Sequence, residues 1–281
     1  LKQRDAILKI VGFSAEQFLK TSDWEQSIDH VLAQLGETTG VSRIYIFKKE
    51  TNEDQSVSQI YEWCDIGVTP QIKSQELQKM DLNKNGYERW VNFFDNNKPV
   101  FGNVRSFPFE EQIKLQSQGV ISLACIPIQV GLNWWGFIGL DDYRNEHNWN
   151  EAEIEALRTA ANTLGISIER KMNEESLLNS EISYRGLFNT IQDAIYIQDE
   201  NGKFIDVNEG AIKLYGYPKE NFIGKNPEFL SAPNKNNLET IAQAIQLAFE
   251  GTPQQFEFWG QRSNGDIFPK DVRLFKGTYF G

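Results

Sequence analysis

The 281 residues hold 39 acidic and 28 basic side chains, a net charge of −11 with pI near 4.8, which argues against nucleic acid and anionic membrane as partners because both require basic patches. No apolar run approaches the roughly 20 residues that span a bilayer, no signal peptide is visible, and Cys64 and Cys125 are too few for a disulfide framework, so the cytoplasm is the simplest location. Hydrophobic residues at 40% and aromatics at 12% suffice for two packed cores in a chain of this length.

From the N-terminus, Ile7, Ile10, Val11 and Phe18, then Trp24, Ile28, Val31, Leu32 and Leu35, mark two amphipathic helices. Ser14 and Ser22 or Asp23 are the candidate caps, and Gly40 ends the second helix. Val41 to Phe47 and Val57 to Trp63 are strand-like. Pro70 and the polar run Lys73 to Asn85 predict a loop-rich crossover. A helix near Tyr87 to Phe94, a short strand from Pro99 to Val104 and a helix from Phe109 to Gln118 come next. Gly119 to Val130 and Trp134 to Asp141 form a hairpin around Gly131-Leu132-Asn133. Asn150 with Glu153 supplies a capping box for a final helix.

That helix carries Ile154, Leu157, Ala161, Leu164, Ile168, Met172, Glu175, Leu178 and Ile182 at steps of three and four. The stripe is narrow, like a coiled-coil seam, and Glu175 is its weak point. The reading is a helix over residues 150–183 that packs on its own domain until about Ile168 and then pairs with a second chain.

Beyond it, Ala194 to Asp199 and Lys203 to Asn208 flank Asn201-Gly202, a dipeptide that tolerates the positive φ of a hairpin turn. Asn208 is a helix N-cap for Ala211, Ile212, Leu214 and Tyr215, closed by Gly216. Pro218 to Asn221 start a brief helix ended by Gly224. Leu238, Ile241, Ile245 and Phe249 keep helical period from about Asn236 to Glu250. Two more strands follow about Asn264-Gly265.

The second half resembles the PAS family, through Asp199 to Gly202, Asp206-Val207-Asn208, Leu214 to Tyr217, Phe222 to Lys225, and Asn264 to Pro269 leading into Val272, all in order. The first half resembles the GAF family, through Thr39 to Phe47, Ser122 to Ile128, Trp135 to Asp142 and Trp149 to Leu157. The resemblance implies an α+β chain with two antiparallel-sheet sensor domains. They are a GAF-like domain over 1–170, a connecting helix over 150–183 and a PAS-like domain over 184–281. The PAS family's last strand is missing after Gly277 and the chain opens on Leu1, which reads as an excised piece of a longer protein. In signalling proteins such domains stand in tandem upstream of a histidine kinase or a cyclic-dinucleotide enzyme.

Catalytic and cofactor patterns are scarce. His30 and His147 lie far apart, as do the two cysteines, so no metal site of usual spacing can be built. The PAS half contains no histidine for a haem. Glu155-Ala156-Leu157 spells a phosphodiesterase signature but falls within an amphipathic helix, where it reads as chance. Cys125 alternates along an apolar strand as a buried structural thiol, and neither cysteine has the surroundings of a bilin attachment site. Pro227 stands where flavin-binding relatives carry the reactive cysteine, so no photoadduct can form and purified protein should be colourless. Asp141-Asp142 reads as a solvated strand end, and His147 as a solvated loop residue. Trp63, Trp90, Trp134, Trp135, Phe101 and Phe137 could line a pocket for a planar molecule, though core filling is the better reading.

The expected function is sensory, within a sensor histidine kinase, with no catalysis in this region. A small ligand or partner would shift helix packing without a cofactor. The alternatives are a dimerisation and spacing module without ligand, or the input region of a diguanylate cyclase or phosphodiesterase. The candidate PAS pocket takes Tyr196 and Gln198 from one strand, Phe256, Phe258, Val272 and Leu274 from the facing strands, Ile245 and Phe249 from the long helix, and Leu230 from the loop. It is expected to be small and apolar. The candidate homodimer seam is Leu164, Ile168, Met172, Leu178 and Ile182.

Overall fold

The structure is a computed structural model that describes residues 12–13, 16–18, 23–51 and 55–279. The expected first helix around Ile7, Ile10 and Val11, with its Ser14 cap, and the alternative cap Ser22 lie outside the described residues. The chain divides into two units, Leu1–Ser176 and Leu177–Gly281.

In the first unit α1 (Glu25–Thr39) precedes a six-stranded antiparallel sheet. Its strands are β1 (Arg43–Lys49), β2 (Ser56–Cys64), β3 (Met80–Asp81), β4 (Val100–Asn103), β5 (Ser122–Val130) and β6 (Asn133–Asp142), in the order β3-β2-β1-β6-β5-β4. Strand β1 shows why both faces are covered. Its side chains alternate, so Ile44 and Ile46 enter one core while Tyr45 and Phe47 enter the other. The first core packs Ile28, Leu32 and Leu35 of α1 against the sheet, together with Leu157, Leu164 and Ile168 of the long helix α4 (Glu151–Thr190). The second lies beneath α2 (Glu88–Asp95) and α3 (Phe109–Ser117), where Trp90, Phe94 and Leu115 meet Leu123, Cys125, Trp134 and Phe137.

Helix α4 starts on the expected box: Asn150 N–H donates to Glu153 Oε2 and Glu153 N–H to Asn150 Oδ1, both at 3.0 Å. Gly165 lets it lie close to β5, because a Cβ there would stand 2.0 Å from the Gln129 carbonyl oxygen. Strand β3, with Leu82 fully buried beside it, lies inside the run expected to be loop. A two-residue strand among polar neighbours leaves no periodic signal. Helix α4 also runs to Thr190, past the residue-183 limit and through Gly186, and its last turn is held by Asn208, which donates to the Phe188 carbonyl.

The second unit has two separate two-stranded ladders. Strands β7 (Tyr196–Gln198) and β8 (Phe204–Val207) turn at Gly202, whose φ is +74°. Strands β9 (Gln254–Gln261) and β10 (Ile267–Leu274) turn at Gly265, whose φ is +91°. Between the ladders come α5 (Glu209–Tyr215), closed by Gly216 as expected, short 3-10 turns at Lys219–Asn221 and Pro227–Leu230, and α6 (Leu238–Phe249). Asn208 caps α5 by accepting from Ala211 N–H, and its amide also donates to the carbonyls of Phe188, Ile191 and Asp193. The incoming helix is thereby tied to its own domain.

Candidate functional site

The first unit buries a charged cluster at the end of β1 and β6. Arg43, 4% exposed, donates at 2.7 Å to Asp141, 2% exposed. It also reaches Gln71 at 2.5 Å and Glu62 at 3.5 Å, and its guanidinium stacks on the Tyr45 ring at 4.6 Å. Tyr45 donates to Asp141 at 3.1 Å, and Gly139 leaves room for the tyrosine ring. Burial raises the Asp141 carboxyl, and Arg43 opposes that rise. Burial also works against the charge on Arg43, but Asp141 outweighs it and holds the guanidinium protonated. Glu62 accepts from the backbone N–H of Gln71 and Ile72, both at 2.8 Å, which pins the loop leading to β3.

Asp141 and Asp142 are therefore not a solvated strand end. Asp142, 2% exposed, accepts from the Ser42 hydroxyl and from the backbone of Arg144 and Asn145. The two aspartates extend a strand whose neighbours bring an arginine and a serine to meet them. An arginine inside the apolar run Val41 to Phe47 was the available signal. His147 is likewise covered, stacked on Trp149 at 4.0 Å and 3.6 Å from Glu153.

Cys125 is fully buried, and burial pushes its thiol well up, which makes it inert. Cys64 is half-buried and pushed up to about 11 by burial. The aromatic residues are split: Trp90, Trp134 and Phe137 fill the second core, Trp63 and Trp135 pack on the first, and Phe101 is 43% exposed. An open cleft of about 430 Å³ on this unit is bordered by Lys48, Lys49, Lys79, Ser58 and Gln78.

In the second unit Phe204, Tyr215, Phe222, Leu230, Ile241 and Phe258 are buried together, with Tyr196, Ile245, Phe256 and Val272 packed against them. Six of the nine expected pocket residues thus fall within or beside one cluster; Gln198, Phe249 and Leu274 do not join it. Phe249, in the last turn of α6, is 41% exposed and lies against Lys276. Leu274 ends β10 half-buried. Gln198 is half-buried and donates to the Gly202 carbonyl of its own hairpin.

The residue absent from that expectation is Lys270. It shares the inward face of β10 with Phe268 and Val272, and its Nζ lies 4.5 Å from the Tyr196 ring centre, 4.8 Å from that of Tyr215 and 5.2 Å from that of Phe258. Its hydrogen bond goes to the Tyr196 hydroxyl at 3.3 Å. Burial pulls its ammonium down to about 7. A single lysine after Pro269 in a strand of mixed polarity is easily taken for an outward residue, although strict alternation places it inside.

A second buried charge joins three segments of this unit. Asp206, 2% exposed, accepts from Arg185 of α4 at 2.8 Å, Lys219 at 2.5 Å and the Tyr279 hydroxyl at 2.5 Å. Burial works to raise its carboxyl, but Lys219 and Tyr279 outweigh this and hold it below the ordinary carboxylate range.

Along α4 the expected seam separates into two parts. Leu164 and Ile168, each 2% exposed, are packed into the first unit and are unavailable to a second chain, because β5 and α1 already cover them. Met172, Leu178 and Ile182 are 50%, 57% and 60% exposed. Among the described residues no cluster of metal-ligating side chains occurs and no helix is long and apolar enough to cross a membrane.

An antiparallel sheet covered on both faces, followed by a smaller sheet-and-helix unit with an aromatic core, defines a tandem pair of sensor-type α+β domains. The GAF domain profile matches residues 23–168 and a PAS domain profile residues 192–277, and the chain belongs to the GAF family with a PAS domain behind it. A methanogenesis regulatory histidine kinase of Methanothrix harundinacea is 32% identical over 182 residues, 64% of this chain and 20% of that protein. A methyl sulfide methyltransferase-associated sensor of Methanosarcina acetivorans is 26% identical over 72% of this chain and 20% of its own length. The chain thus spans about a fifth of these curated relatives. Among solved structures, a far-red-absorbing domain with bound biliverdin superposes with TM-score 0.50 at 21% identity, over 58% of this chain and 99% of that one, a likeness of fold.

Proposed function

We propose that this chain is the cytoplasmic input region of a homodimeric sensor histidine kinase of a two-component system. It senses through its PAS core and relays the signal through α4. The observation that carries this reading is the helix itself. Its first turns are locked into the GAF core, its last turns are held by Asn208 and Asp206 of the PAS unit, and the stretch between exposes Met172, Leu178 and Ile182 on one stripe. A helix anchored in two domains and apolar where neither covers it is suited to pair with a copy of itself and pass a change in packing. The names of the two curated relatives, a histidine kinase and a sensor, support the same class.

The close aromatic filling of the GAF inner face, with Phe94 against both Trp134 and Phe137, favours a spacing and dimerising role for that half. A covalently bound bilin is not expected there, since the thiol on that face, Cys125, is sealed.

The test uses the natural gene product that contains this segment, incubated with labelled ATP. Acid-labile phosphate on histidine is expected, at a rate changed several-fold by Leu178→Glu with Ile182→Glu. A product that never labels itself overturns the kinase assignment. Unchanged labelling in the double variant overturns the relay.

A further inference from the structure

The PAS core holds two hydrogen-bond donors that its own acceptors do not satisfy. The ammonium of Lys270 carries three N–H groups, and one protein acceptor, the Tyr196 hydroxyl, is within reach. No carboxylate among the described residues pairs with it, and burial alone accounts for its lowered basicity. Tyr215 is fully buried and its hydroxyl has no hydrogen-bond partner among the described residues. Burial pushes the phenols of Tyr196 and Tyr215 above their ordinary range, so both keep their protons. Gly260, where a Cβ would stand 2.5 Å from the Tyr215 oxygen, gives that hydroxyl its room.

A half-buried cation without a carboxylate partner and an unsatisfied buried donor in one aromatic cluster oppose folding. An apolar residue on the Lys270 face of β10 would pack against Tyr196, Tyr215 and Phe258 without that cost. The ladders β7–β8 and β9–β10 share no backbone pairing among the described residues, and the contact between Lys270 and Tyr196 bridges them. An acceptor arriving between the ladders would meet the amine at that bridge.

We propose that the PAS core binds a small organic carboxylate, its anionic group held by Lys270 Nζ and the Tyr215 hydroxyl and its apolar body against Tyr196 and Phe258. The amine takes up its full proton when the anion arrives, and the aromatic walls select a ligand with an apolar body over a bare anion. The site deepens the sensor reading above and rests on its assignment of sensing to the PAS half.

Calorimetry on the whole chain tests it with phenylacetate and hexanoate as probes, and phenylacetamide and inorganic phosphate as controls. At least one carboxylate is expected to bind and both controls to fail. Lys270→Met should weaken binding at least tenfold, and Tyr215→Phe about five- to tenfold, as expected for loss of an ion pair and of a phenol-to-carboxylate hydrogen bond. Both variants preserve the packing volume, and circular dichroism checks their fold. Binding that survives Lys270→Met, equal binding of phenylacetamide, or no binding of either carboxylate overturns the proposal. In the last case the relay still stands if the α4 double variant alters self-phosphorylation. Carboxylate binding without any change in that rate would instead sink the sensor reading and leave the site.

Discussion

Asp141 and Lys270 are opposite solutions to a charge drawn into a core, the first 2% exposed and the second half-buried. Asp141 is matched by Arg43 at 2.7 Å, so removing one partner strands the other. Asp141→Asn is expected to destabilise the first unit by about 3 kcal/mol, and Arg43→Met with Asp141→Leu by clearly less, read from urea unfolding. Lys270 has no such partner, so its removal should stabilise. Its folded amine gives up its proton near pH 7, whereas an unfolded lysine does so near about 10.4. The groups facing it, Tyr196 and Tyr215, stay neutral over that range. Between those values the unfolded chain holds the extra proton, so the second unit's stability rises with pH from about 7 to about 10. Lys270→Met should remove this slope and raise the melting temperature at pH 7. A lower melting temperature in the variant would show that the amine is already satisfied.

At the level of elements, α4 is the decisive case. Ile168→Glu places a charge in a core position 2% exposed and should unfold the first unit. Leu178→Glu with Ile182→Glu touches a stripe more than half exposed, and should turn a dimer into a monomer in sedimentation while circular dichroism stays the same. A wild-type chain that sediments as a monomer at high micromolar concentration would remove the basis for pairing. The sequence marked this stripe but could not divide it, because period alone does not say which turns a sheet will cover. Turn chemistry was more legible: Asn150 with Glu153, Asn208, Gly216 and Gly265 act locally and so could be read locally. The buried clusters were not. Asp141 meets Arg43 across 98 residues, and Lys270 meets Tyr196 across 74, distances over which no short pattern extends. Phe249 failed for a related reason, since helical period gave the face of α6 but not how far along the helix the core reaches.

For the whole molecule, the tryptophans provide a reporter. Six of the seven, Trp24, Trp63, Trp90, Trp134, Trp135 and Trp149, lie in the first unit and Trp259 in the second. Denaturant unfolding followed by tryptophan fluorescence should report the GAF unit, and far-ultraviolet dichroism both units. The two curves should separate, as two cores predict, and Asp141→Asn should move the fluorescence curve while Lys270→Met moves the other. Coincident curves in both variants would mean one cooperative block.

Asp206 gives the second unit a single knot. Arg185 near the end of α4 and Tyr279 after β10 both grip the same carboxylate together with Lys219. A shift of the helix end is therefore linked to the segment around Tyr279 by a path outside the aromatic core. Any effect that the Arg185 contact has on the Tyr279 contact is matched by an equal effect in the reverse direction. The end of α4 and the segment after β10 can in this way respond to one another without involving the residues around Lys270 and Tyr215.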